Sequence, residues 1–276
     1  MRTWVNGTLL DAEQARVSAF DHGLTVGDGV FETVKVVDGV PFALRRHLDR
    51  LARSAAGLGL PAPDLTEVRA ACLAVVAQAP VGLYRLRITY TGGVAPLGSE
   101  RGDTGPTLVV AMAPTVPPSE STAAAVVPWT RNERGALAGL KTTSYAENVV
   151  ALARARRLGA TEAVFADTQG RLSEGTGSNI FVVVDGRVLT PALSSGCLDG
   201  ITRQLILEWT DAEEVALPMS VLDSAAEVFL TSSIRDVQAV DAIVGDTATR
   251  NLGPPGPITR EAASTFAKRS LEDPEP

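Results

Sequence analysis

Lysine is nearly absent from this chain: Lys35, Lys141 and Lys268 stand against twenty-two arginines. With so few primary amines, the setting of each one carries information. Cysteine is scarcer still. Cys72 and Cys197 alone exclude a disulfide framework, and Cys197 has no neighbouring ligand to suggest a metal, so no metal site is expected. No apolar run approaches the roughly 20 residues that a membrane-crossing helix needs; the longest lies around Cys72 to Val76. The chain opens directly into Trp4-Val5-Asn6-Gly7 with no secretory pattern, so a cytoplasmic location is expected. A net charge of −7 and a pI near 5.0 argue against a nucleic-acid surface. There is no internal repeat. What remains is 276 residues, 45% of them hydrophobic, enough for the cores of one large or two modest domains.

Turn chemistry organises the first half. Asn6-Gly7 and Asp38-Gly39 mark hairpins between β-rich runs. Helices are expected over 46–58, with Leu48, Leu51 and Leu58 on one side, and over 67–78; strands are expected over 83–91 and 107–112. Pro114 to Ser121 is proline-rich and polar and serves as the linker. Domains of 1–113 and 122–276 follow, joined by residues 114–121. The acidic, proline-rich end from Leu271 to Pro276 is expected to fray.

Three segments of the second half carry chemistry. Lys141 precedes a helix start marked by Ser144 and Glu147, which have capping-box spacing, and that helix stops at Gly159. The positive end of a helix disfavours an ammonium, and a lysine with a depressed pKa is a nucleophile for Schiff-base chemistry. A solvated loop lysine is the alternative. Glu174 lies before Gly175 and Gly177, between strands over 162–166 and 179–184, where backbone can approach a carboxylate closely; a plain surface turn would look the same. Gly196 to Gln204 opens a further helix whose exposed N–H groups suit a phosphate, although an ordinary helix start reads alike.

Together and in this order, these segments resemble the class IV aminotransferases, the fold-type IV pyridoxal phosphate enzymes. The resemblance runs from Trp4-Val5-Asn6-Gly7 through His22 to Thr33 and His47-Leu48-Asp49-Arg50-Leu51 to Phe229-Leu230-Thr231-Ser232-Ser233. It implies a two-domain α+β/α/β fold with a smaller N-terminal α/β domain and a larger C-terminal domain with a β-barrel-like core. It implies pyridoxal 5'-phosphate as cofactor, with Lys141 holding it covalently and later shuttling a proton. Glu174 would pair with the pyridine nitrogen, and Leu198 would pack on the ring. Arg50, Ile201, Thr202, Ser232 and Ser233 would bind the phosphate. A homodimer is implied as well. One departure is visible: branched-chain members place a tyrosine where this chain has Ala146, and Tyr145 falls one position earlier.

Substrate residues are fewer. Phe31, Thr33 and Lys35 share one face of a strand, and Phe31-Glu32-Thr33 resembles the 4-amino-4-deoxychorismate lyases of folate precursor synthesis. Arg87, on a strand with Arg85, and Arg101, in the following loop, would suit substrate carboxylates. His22 and His47 read as structural. The expected reaction is elimination from 4-amino-4-deoxychorismate, giving 4-aminobenzoate and pyruvate. The alternatives are an aminotransferase for branched-chain or D-amino acids or related amines, and a non-catalytic binding protein of the same fold.

Overall fold

The computed structural model describes residues 2–276. Its hairpins turn where the Asn-Gly and Asp-Gly pairs stand. Asn6 and Gly7, Asp38 and Gly39, and Asp185 and Gly186 all have positive φ, between 42° and 86°. Two consecutive left-handed residues match the twist of paired strands, and an Asn or Asp followed by Gly meets that demand at least cost.

The chain divides into two compact units. The first comprises residues 2–117 with Leu140–Tyr145 and Asp273–Pro276. Its antiparallel sheet contains β1 (Arg2–Val5), β2 (Thr8–Asp11), β3 (Gly29–Val37), β4 (Val40–Pro41), β5 (Leu83–Thr91) and β6 (Thr107–Pro114), in the order β2-β1-β6-β5-β3-β4. A short α1 (His22–Thr25) precedes β3, while α2 (Leu44–Gly57) and α3 (Leu65–Val76) cover one face. Strand alternation decides which side chains meet them. Val30, Val34 and Val36 of β3 join Leu86 and Ile88 of β5, Leu44, Leu48 and Leu51 of α2, and Val68 and Val75 of α3 in one buried cluster. Each such side chain contributes about 1.5–3 kcal/mol by leaving water. The opposite face carries Phe31, Thr33 and Lys35, with Arg87 paired to Thr33 and Arg85 to Lys35 across β5. The expected helix over 67–78 begins earlier because Asp64 caps it, accepting from Thr66 N and Glu67 N.

The end of the chain is docked, not frayed. Ala43, the N-cap of α2, is left-handed (φ 52°) and has no side-chain acceptor to offer the first turn. The terminal segment takes over this task in part: Arg45 N donates to Glu275 Oε2 at 3.0 Å, and Ala43 N donates to Pro274 O at 2.7 Å. An acidic cap at a helix N-terminus is also favoured by the helix dipole.

The second unit comprises residues 118–139 and 146–272. It is built on a curled, mixed sheet of nine strands. These are β7 (Ser121–Arg131), β8 (Glu162–Asp167), β9 (Leu172–Gly175), β10 (Asn179–Val184), β11 (Arg187–Pro191), β12 (Glu213–Val215), β13 (Glu227–Ser232), β14 (Asp236–Val244) and β15 (Thr249–Asn251). The order is β12-β11-β10-β13-β14-β7-β8-β9, with β15 beside β14. One cluster, including Val164, Leu172, Ile180, Val182, Leu230 and Val240, forms a core. In another, α4 (Ala146–Arg157) packs Ala151 and Ala155 against Val127 and Phe165. The cross-strand pair Phe181 and Phe229 stacks at 4.8 Å. Two further helices, α5 (Ile201–Trp209) and α6 (Pro257–Glu272), complete the unit.

Residues 140–145, which sequence order assigns to the second domain, belong to the first unit. Their backbone decides it: Phe31 N donates to Lys141 O at 3.0 Å, Thr143 N donates to Gly29 O at 2.8 Å, and Val30 bridges Thr142. Among the described residues no helix is long and apolar enough to cross a membrane.

Candidate active site

Lys141 is held through its backbone. Its carbonyl takes the Phe31 N–H, and its own N–H donates to Ser54 Oγ of α2 at 3.2 Å. The lysine is thus placed by β3 and α2, and not, as the sequence suggests, by the helix that follows it. Its Nζ lies 4.5 Å from the centre of the Phe31 ring. The Arg87 guanidinium stacks on the same ring at 3.3 Å, and Tyr145 meets it edge-on at 5.3 Å. This is the diagonal reach expected when Arg87 pairs with Thr33, two residues along the strand from Phe31. Burial pushes Arg87 down to about 10, so the half-buried group remains a cation at neutral pH. Among the described residues, no carboxylate or hydrogen-bond acceptor partners it. Arg101 differs. Its Nε and Nη2 go to the Asp28 carboxylate at 2.7 and 2.6 Å, and further N–H groups cap Gly59 O and Leu58 O. It clamps its loop to the end of α2.

A carboxylate interrupts the apolar face of β3. Glu32, with Val30 and Val34 beside it on that face, is fully buried. It accepts from Arg50 Nε at 2.8 Å and Nη2 at 2.7 Å, and from His47 Nδ1 at 2.7 Å. Burial alone would raise the Glu32 carboxyl, but the Arg50 charge and the Arg50 and His47 hydrogen bonds outweigh it and hold the group well below its ordinary range. Burial pushes His47 down, aided by Arg50 and Lys141, so its imidazole is neutral and donates Nδ1–H. Glu32 takes two of the five guanidinium N–H groups of Arg50 and fixes its plane. The sequence reading did not include Glu32. The available signal was a charged residue at a core-facing position of an otherwise apolar strand face.

Removing that charge has a predicted cost. Glu32→Gln leaves Arg50 buried without its counter-charge, and is expected to destabilise the protein by about 3–5 kcal/mol. In the wild type, the Glu32 contribution is complete above the ordinary carboxyl value of 4.5 and declines as pH falls below it. His47, held below its ordinary 6.5, adds a loss that begins as pH falls through that value, because the unfolded imidazole takes up a proton that the folded one refuses. Thermal unfolding across the acid range should show wild-type stability falling, with a shallower fall below 4.5 in the variant.

In the second unit Glu174 lies on β9, half-buried. Its Oε2 accepts from Leu198 N at 2.9 Å, and its Oε1 lies 3.2 Å from Arg131 Nε. Arg131 stacks over Phe165 at 4.0 Å and also binds Glu147 at 2.9 Å. The Leu198 loop is anchored in turn, since Leu198 O accepts from Asn179 Nδ2 at 2.8 Å. A Cβ on Gly200 would fall 2.0 Å from Asn179 Oδ1, so only glycine lets the loop close there. Gly200 is also the N-cap of α5 and offers no side-chain acceptor to the first turn, where Ile201 and Thr202 are each 3% exposed. Ser232 ends β13 and Ser233 follows it, both half-buried. The Thr231 hydroxyl next to them is buried with no hydrogen-bond partner among the described residues. Burial, with Glu174 nearby, pushes the Cys197 thiol up to about 11, which leaves it a small inert residue.

The donor chemistry suits pyridoxal phosphate. An uncapped helix start and an orphaned buried hydroxyl beside two serines favour an anion. The Glu174 carboxylate is the kind of acceptor that a protonated ring nitrogen requires. Among the described residues no group of three His, Cys, Asp or Glu side chains could hold a metal ion.

Comparison with known proteins points the same way. The family model described as amino-transferase class IV matches residues 29–243. A Methanocaldococcus jannaschii protein, provisionally named a branched-chain-amino-acid aminotransferase, is 32% identical over 96% of this chain and 95% of its own length. The D-alanine aminotransferase of Staphylococcus epidermidis is 30% identical over 97% of each. The PLP-bound form of a hypothetical aminotransferase from Mycobacterium tuberculosis superposes with a TM-score of 0.87, at 28% identity, over 99% of this chain and 100% of that one.

Proposed function

The chain belongs to the class IV aminotransferases, and from that premise we propose that it transfers the amino group of a branched-chain or D-amino acid to a 2-oxo acid. The enzyme is pyridoxal phosphate-dependent. The relatives described above bear aminotransferase names, so elimination from aminodeoxychorismate, expected from Phe31-Glu32-Thr33, gives way to transamination as the better supported reading.

One observation carries the proposal beyond the family. Arg87, a half-buried cation with no hydrogen-bond acceptor among the described residues, shares the Phe31 ring with the Lys141 amine. A substrate carboxylate held by that guanidinium would bring an amino acid donor to the ring that the Lys141 amine also faces. Pyridoxal phosphate, when bound, supplies an electron sink for the electrons released at the α-carbon. Lys141 removes the α-proton there and later returns a proton. Glu174 would accept the ring N–H, and Leu198, whose loop Asn179 anchors, would pack on the ring. In the first unit Arg50, oriented by Glu32, would offer a phosphate a fork of donors; in the second, the start of α5 at Ile201 and Thr202 and the Ser232–Ser233 loop would offer theirs. Thr33, paired with Arg87, and Phe31 shape the substrate side.

Arg87→Met keeps the apolar stem and removes the charge. It is expected to raise KM for the amino acid donor roughly 10- to 100-fold, matching about 1.5–3 kcal/mol for hydrogen bonds to a charged group. Steady-state kinetics with donor varied checks this; an unchanged KM removes Arg87 from the substrate site. The reaction itself is tested by incubating holoenzyme with branched-chain L-amino acids or D-alanine plus 2-oxoglutarate, and separately with aminodeoxychorismate alone. Glutamate production supports transamination. Release of 4-aminobenzoate without an acceptor, and no glutamate, restores the lyase.

A further inference from the structure

Glu162 opens β8, is 1% exposed, and stands apart from the groups assigned to cofactor and substrate. A carboxylate in that position persists only if its oxygens are saturated with donors. They are. Oε1 accepts from Ala163 N and Thr176 N, each at 3.0 Å, and from the Thr176 hydroxyl. Oε2 accepts from Ser178 Oγ at 2.9 Å and lies 3.4 Å from Arg235 Nη2.

Apart from the neighbouring Ala163 N–H, these donors come from two places. Thr176 and Ser178 form the turn directly after Glu174. Arg235 follows the Ser232–Ser233 loop, and its backbone N–H donates to Ser232 Oγ at 3.3 Å. Gly175 gives independent evidence of the fit: a Cβ there would lie 2.4 Å from Ser178 Oγ and 3.1 Å from the Glu162 carboxyl carbon. The backbone next to Glu174 therefore rests on the Glu162 carboxyl, with no room between them.

We infer that Glu162 is a positioning residue that fixes the Glu174 turn and ties it, through Arg235, to the Ser232–Ser233 loop. One buried charge thereby sets the geometry of both the group serving the ring nitrogen and the loop serving the phosphate. Losing it lets the 175–178 turn relax and Glu174 with it. The inference rests on the reading of Glu174 as the ring-nitrogen partner, and its test separates the two.

Holoenzyme of wild type, Glu162→Gln, Glu174→Gln and the double variant Thr176→Val/Ser178→Ala is compared by two readouts. These are the visible absorption band of the bound cofactor and cofactor loss on dilution. Glu162→Gln and the double variant are expected to move the band in the same direction as Glu174→Gln. Glu162→Gln, which also loosens the Ser232–Ser233 loop through Arg235, should release cofactor roughly 10- to 100-fold more readily, the range typical when a group that orients a liganding side chain is removed. A purely structural Glu162 would lower the thermal midpoint while leaving band and affinity unchanged, which overturns the inference. If Glu162→Gln fails to fold, the double variant, which keeps the carboxylate and its Arg235 contact, decides the matter. If Glu174→Gln itself leaves the band at its wild-type position, the reading of Glu174 fails and the inference with it. If Glu174→Gln moves the band and the other variants do not, the coupling alone is refuted.

Discussion

Lys141→Ala is expected to lower turnover by on the order of 10⁵-fold or more, because the variant loses both covalent capture of the cofactor and a base held at the reacting carbon. The protein should remain folded. What locates residue 141 is its main chain, through Phe31 N–H and Ser54 Oγ, and neither contact involves the side chain that is removed. Lys141→Arg sharpens the result. It keeps a cation beside Phe31 but places there a group that stays protonated and forms no covalent link to an aldehyde, so it should be as inactive as alanine. Recovery of substantial activity in the arginine variant would show that charge, not amine chemistry, is what position 141 supplies. Single-turnover measurements with cofactor in excess guard against mistaking weak cofactor retention for lost chemistry.

Glu174→Gln is expected to reduce kcat roughly 10²–10³-fold, the scale seen when one preorganised electrostatic partner of a developing charge is removed. The argument is geometric. The carboxylate accepts from Leu198 N–H and lies beside the Arg131 cation, and its acceptor-only, anionic character suits both as well as a protonated ring nitrogen. A glutamine of the same shape must point an NH₂ at one of them. It either opposes Arg131 or Leu198, or offers the ring a donor where an acceptor is needed. Cofactor should still bind through its phosphate, so the loss should appear in kcat more than in occupancy. Wild-type kcat in this variant would place the ring nitrogen elsewhere.

The parts of this protein that were legible in sequence are those fixed by local chemistry. The Asn-Gly and Asp-Gly turns, the alternation along β3 and the glycines after Glu174 each state a backbone requirement within a few residues. Scarcity made Lys141 conspicuous. Long-range pairing was not legible. Nothing in Leu140–Tyr145 says that it joins a strand more than a hundred residues earlier, nor that Pro274 and Glu275 supply the cap that Ala43 lacks. Charge clusters were hidden for a related reason. Glu162 looks like a surface residue of a strand until its partners arrive from the 176–178 turn, and Glu32, though it stands on an apolar strand face, gives no sign of the α2 groups that hold it. Arg101 read as a substrate group because an exposed loop arginine resembles one, whereas Asp28 and the end of α2 engage it. The choice between elimination and transamination depends on how the protein steers a shared chemistry. The Phe31-Glu32-Thr33 segment alone did not encode that choice.

The scarcity of lysine makes the central claim directly measurable. Holoenzyme is reduced with borohydride and digested, and the cofactor-bearing peptide is identified by mass. Attachment at Lys141 alone is predicted. Attachment at Lys35, buried over Phe42, or at the exposed Lys268, or recovery of all three lysines unmodified, would contradict it.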